Sequence, residues 1–107
     1  MDGNAQTPEE LEMLLEDSLL LRDSKSLMAL FVDGAALVIG GERAARGEDI
    51  ARLALATWDG DQTYVAAPKS VIQVRDIALI ISERGINIIY RNLNRSWQYV
   101  IVCQLAD

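Results

Sequence analysis

The spacing of hydrophobic positions changes part-way along the chain. Between Leu11 and Arg22 it is helical: Leu11, Leu14, Leu15, Ser18, Leu19 and Arg22 define one stripe, and Met13, Leu20 and Leu21 widen it. A helix this apolar must be covered on more than one side. Thr7 opens it, with Pro8 at the first helical position, where a missing N–H costs nothing. Glu10 stands three residues after Thr7 and completes a capping-box pattern, and Glu9 and Glu10 complement the helix dipole. Asp23 or Ser24 caps a second, short helix through Leu27, Met28, Leu30 and Phe31, ended by Gly34. Ala36 to Ile39 reads as a strand and Gly40-Gly41 as a turn. A third helix starts near Gly47, with Glu48 and Asp49 in its first turn and Ile50, Leu53, Ala54 and Trp58 on one face. Asp59-Gly60-Asp61 is a loop.

From Tyr64 onward the period is two. Strands are predicted over 64–75, 77–82, 86–91 and 96–104. Pro68 cannot donate to a ladder, so it marks an edge, a bulge or a bend. Arg75-Asp76 and Glu83-Arg84-Gly85 are turns, and Asn92 to Arg95 is a hairpin loop. The strand Ile77–Ile81 is apolar on both faces, with Ile77, Leu79 and Ile81 pointing one way and Ala78 and Ile80 the other. Both faces of the sheet are therefore covered. Helices can cover one face, and a second copy of the chain is the expected cover of the other.

Length and composition narrow this picture. The 107 residues make one domain, with residues 1–6 as a flexible tail and 7–107 as the folded unit. A net charge of −6, from 16 acids and 10 bases, argues against nucleic-acid binding, and Arg91 and Arg95 are too few for a footprint. With no histidine, the commonest general base and metal ligand is absent. A single cysteine, Cys103, cannot form an intramolecular disulfide, so a reducing cytoplasm is the simplest home. The acidic N-terminus is no secretory signal, and no run of about 20 apolar residues could span a membrane. No zinc spacing, phosphate-binding glycine loop or nucleophile elbow occurs, so neither metal nor cofactor is expected.

Three N-terminal helices followed by a mainly antiparallel sheet is an α+β arrangement. Asp23 to Phe31 (DSKSLMALF), Ala35-Ala36-Leu37-Val38, Arg46-Gly47-Glu48-Asp49-Ile50, Asp76 to Ile80 and Ser96-Trp97-Gln98-Tyr99-Val100-Ile101 follow one another in a familiar order. In this order and spacing the chain resembles the SnoaL-like branch of the nuclear-transport-factor-2-like superfamily over roughly residues 8–104. The resemblance implies a cone, in which a curved sheet wraps three helices around an apolar pocket and copies pair through their sheets. It also implies a base position at Ile39, preceded by Val38, and an aliphatic side chain cannot take a proton. The region between Asp76 and Trp97 is short for the family, which implies a more open pocket.

The pocket expected from the resemblance draws on Trp58, at the end of the third helix, and on Tyr64, Tyr90 and Tyr99, aromatics with one polar edge. Leu14, Ser18, Ile39 and Cys103 complete the candidate wall. No catalytic residue is assigned. The leading expectation is a homodimer that binds an apolar small molecule. An isomerase-like or cyclase-like enzyme using Asp76 or a tyrosine as its acid or base, and a purely oligomerising module, are the alternatives.

Overall fold

The computed structural model of the chain, which describes residues 4–105, contains three helices and six strands. The elements are α1 (Pro8–Leu20), α2 (Ser24–Met28), β1 (Phe31–Ile39), β2 (Arg43–Arg46), α3 (Asp49–Thr57), β3 (Pro68–Val74), β4 (Ile77–Ser82), β5 (Gly85–Arg91) and β6 (Trp97–Gln104). The fold is α+β, as expected; the strand expected at Ala36 to Ile39 is the end of β1, and β2, which was not expected, joins it before α3. Residues 1–3 and 106–107, at the ends of the expected tail and domain, lie outside the described residues. Ala5 is buried, and its carbonyl accepts from the Trp97 N–H.

Local chemistry accounts for most boundaries. The Glu10 N–H donates to Thr7 Oγ1 at 3.0 Å, which is the expected cap of α1, while the Glu10 carboxylate reaches back to the Gln6 N–H. Asp23 caps α2 through the Ser26 N–H. Two expectations give way. The second helix stops at Met28, and Phe31 already belongs to β1, because the strand pairs with β6 and the Phe31 ring lies 5.3 Å from that of Tyr99. Gly34 therefore sits in an irregularity of β1 at φ 77°, a conformation that suits glycine, and caps no helix. The strand expected from residue 64 begins at Pro68, because the preceding residues bond to side chains of α1 and join no ladder.

The sheet order is β2-β1-β6-β5-β4-β3. All pairs are antiparallel except β1 with β6, which makes the sheet mixed. Pro68 opens β3, an edge strand, where its missing N–H is harmless. The three helices pack on one face: Leu11, Leu15 and Leu19 of α1, Leu27 of α2 and Ile50 and Ala54 of α3 join Leu37, Ile39, Ala78, Ile80, Ile89 and Val102 in one buried cluster. Across the opposite face, the paired positions Ile72, Leu79, Ile88 and Ile101 form a continuous apolar row from β3 to β6. Ile77 on that face is 45% exposed.

Gly85, at the start of β5, lies close against β6. A Cβ there would stand 2.1 Å from the Cys103 carbonyl oxygen and 2.8 Å from Gln104 Nε2. Gly85→Ala is expected to lower stability by about 1–3 kcal/mol, the usual penalty for overpacking. A denaturant titration measures this, with Gly60→Ala, whose Cβ would meet nothing within 4 Å, as the near-neutral comparison.

Candidate functional site

Among the described residues, a buried polar cluster is centred on a carboxylate. Glu12 of α1 is 1% exposed. Its Oε1 accepts from the Tyr64 hydroxyl at 2.6 Å, and its Oε2 accepts from the Tyr99 hydroxyl at 2.6 Å and from Asn87 Nδ2 at 2.9 Å. Asn87 Nδ2 also donates to the Tyr64 oxygen at 3.1 Å, and Gln104 Nε2 donates to Asn87 Oδ1 at 2.9 Å. Every hydrogen bond to Glu12 runs toward the carboxylate, and no described side chain brings a cation into the cluster. A buried carboxylate is tolerated only when its lone pairs are engaged in this way, and 2.6 Å is the length of charge-assisted O–H···O contacts. Burial first, and then the facing Glu12 carboxylate, hold both Tyr64 and Tyr99 well above the ordinary phenol range near 10.

The elements explain the convergence. Glu12 lies one turn before Glu16 on α1, and the two acids clamp the segment that follows α3: Glu12 takes the Tyr64 hydroxyl and Glu16 Oε1 takes the Ala66 N–H at 3.0 Å. Asn87 and Tyr99 reach Glu12 because both point to the helix side of β5 and β6. Arg22 ties the end of α1 to α3 by donating to the Leu55 carbonyl at 3.1 Å.

A cavity of about 470 Å³ lies against this cluster. Trp58, Thr63, Tyr64 and Val65 form one wall, Gln104 and Leu105 another, and Asp61, Glu83 and Arg84 bring charge to its lining. The Trp58 and Tyr64 rings meet edge to face at 5.2 Å and 81°. Tyr64 and Gln104 belong to both the cavity and the Glu12 cluster; Glu12 itself does not line the cavity. The size falls in the range of small-molecule pockets, and polar and charged side chains outnumber the apolar ones around the two aromatic rings. Among the described residues, no group of three or more acidic or cysteine side chains is placed to hold a metal ion. No helix among them is long and apolar enough to cross a membrane.

The candidate residues named from the sequence separate into five places. Trp58 and Tyr64 meet at the cavity. Tyr99 lies behind it, fully buried against Glu12, and Ile39 is packed in the core on β1. Leu14 and Ser18 line a different, smaller recess of about 240 Å³ between α1 and α2. Tyr90 and Cys103 are exposed, and neither lines these cavities. Asp76 sits in the β3–β4 turn and pairs with Arg91 at 3.0 Å, away from the cavity. Glu12, Asn87 and Gln104 were not singled out by the sequence reading. The available signals were an acid at core-facing spacing on α1 and an asparagine on the inward register of an otherwise apolar strand.

The raised phenols give a pH dependence with a definite sign. Below pH 10 both tyrosines are protonated in the folded and the unfolded chain, and stability does not respond to them. Above pH 10 the unfolded chain releases these protons while the folded chain retains them, so stability falls as pH rises. The slope is about 1.4 kcal/mol per pH unit for each tyrosine, and Tyr99→Phe is expected to reduce it by one such increment. Urea titrations at successive alkaline pH values measure the slope.

No protein-family model and no curated protein matches the chain. Solved structures do. A ketosteroid isomerase-like protein from Erwinia carotovora atroseptica aligns with a TM-score of 0.66 at 17% identity, over 91% of each chain. A putative calcium/calmodulin-dependent protein kinase type II association domain from Thiobacillus denitrificans aligns with a TM-score of 0.72 at 15% identity, over 94% of this chain and 95% of that one. A conserved protein from Planctomyces limnophilus aligns with a TM-score of 0.69 at 11% identity, over 89% of each. At these identities the likeness is one of fold. The three helices and six-stranded mixed sheet of this chain follow the fold of these neighbours.

Proposed function

We propose that this chain is a SnoaL-like cone domain that binds an apolar small molecule in the 470 Å³ cavity and works as a homodimer in the cytoplasm, without an acid or base of its own for catalysis. The observation that carries the binding reading is the cavity wall: the half-buried ring of Trp58 beside two polar side chains, Tyr64 and Gln104, whose positions the buried Glu12 cluster fixes. Pre-positioned polar groups beside an aromatic ring give orientation at low entropic cost.

The catalytic alternative has less support. Ile39 and Val38 offer no proton acceptor, and Asp76 is engaged by Arg91 outside the cavity. Tyr64 reaches the cavity, but its phenol is already spent as a donor to Glu12 and is held far above neutral range. A general acid or base works best with its pKa near the operating pH.

The dimer reading rests on the uncovered sheet face. Its central row, Ile72, Leu79, Ile88 and Ile101, is apolar across four strands, and Val74, Ile77 and Ile86 extend it with large exposed side chains. Patches of this kind on soluble proteins mark interfaces.

Naphthalene binding, followed by calorimetry, tests the first reading. Trp58→Ala is expected to weaken it about tenfold, the loss of one good aromatic contact; unchanged binding would place the ligand elsewhere. Light scattering tests the second. The wild-type chain is expected to run as a dimer at micromolar concentration, and Leu79→Lys, which puts a charge at the centre of the face, is expected to give a folded monomer.

A further inference from the structure

We infer that the occupant of the main cavity presents a hydrogen-bond donor, an O–H or N–H, to Gln104, and that Glu12 sets this preference from behind the wall as a positioning residue. The inference rests on the small-molecule reading above and names the ligand class for that same cavity.

The argument is one of donor counting. Glu12 takes three hydrogen bonds, two from phenols and one from an amide. Its Oε2 accepts from Asn87, so residue 87 turns its nitrogen toward the acid. Both Nδ2 hydrogens of Asn87 are then spent, one on Glu12 Oε2 and one on the Tyr64 oxygen. Asn87 Oδ1 is left facing β6, where it needs a donor, and Gln104 Nε2 supplies it at 2.9 Å. That orients the second amide in turn. Gln104 Oε1 has no hydrogen-bond partner among the described residues. Gln104 is only 5% exposed, yet it lines the cavity. Gly85, with its bare Cα, leaves the room that Nε2 occupies. Two amides in series thus carry the polarity of the buried carboxylate to Gln104, a residue of the cavity wall, and leave its Oε1 as an open acceptor beside one remaining Nε2 hydrogen. A ligand carbonyl facing that oxygen would put two acceptors together, and a ligand hydroxyl or N–H would complete the chain.

Two probes of similar size and shape test this by calorimetry: 2-naphthol, which can donate, and 2-acetylnaphthalene, which can only accept. The wild-type protein is expected to bind 2-naphthol about tenfold more tightly, the discrimination that one well-placed hydrogen bond gives. Gln104→Met is expected to shrink the ratio toward one, and Glu12→Gln, which lets an amide enter the chain in either orientation, is expected to shrink it as well. The ratio is the readout because general damage to the pocket lowers both affinities together. A wild-type protein that binds the ketone as tightly as the naphthol, or a ratio untouched by Glu12→Gln, overturns the inference and leaves the small-molecule reading standing. Failure of both probes to bind overturns the two together. Should Gln104→Met fail to fold, the wild-type ratio decides alone.

Discussion

A carboxylate buried to 1% exposure at the centre of a small α+β domain constrains everything around it. Desolvating such a group costs several kcal/mol unless its lone pairs are filled, and here three donors fill them from three separate segments: the loop after α3, β5 and β6. Hydrogen bonds to charged groups are each worth about 1.5–3 kcal/mol, and leaving one unmade costs a comparable amount. The Glu12 cluster therefore specifies one relative placement of α1, the sheet and the cavity loop, where apolar packing alone would tolerate several. Its second consequence is chemical. The cluster ends at Tyr64 and Gln104, and both are cavity wall.

Frame and site thus share one device. Glu12 and Glu16, a turn apart on α1, hold the segment from Tyr64 to Ala66 that forms one side of the cavity, while Gly85 and Gln104 close the β5–β6 end. The opposite sheet face carries none of this polarity. Its rows of isoleucine and leucine suit burial against another protein surface, and the division of labour between a polar-lined interior and an apolar exterior follows the register of the strands.

Much of the frame was legible because its signals are local. The Thr7-Pro8-Glu10 cap, the Asp23 cap, the Gly40-Gly41 turn and the strands from residue 77 onward depend on neighbouring residues and on period-two alternation. The misreadings come from tertiary contacts. Gly34 looks like a helix terminator until β6 is known to pair with Phe31, and β2 disappears into an apparent Arg-Gly turn until Val38 and Ile39 pair with Ala44 and Arg43. The site was hardest to see for the same reason. Trp58 and Tyr64 announce themselves as aromatics near a helix end. Glu12 reads as one more acid on an acidic helix, and only its pairing with residues 52, 75 and 87 positions away reveals what it holds.

The central claim is that Glu12 and its phenol donors act as a coupled unit at the heart of the fold. A double-mutant cycle between Glu12→Gln and Tyr99→Phe, with stability read from urea unfolding, tests it most directly. The account predicts a coupling of about 1.5–3 kcal/mol between the two sites, as a hydrogen bond to a buried charge requires. Additive effects within about 0.5 kcal/mol would contradict it.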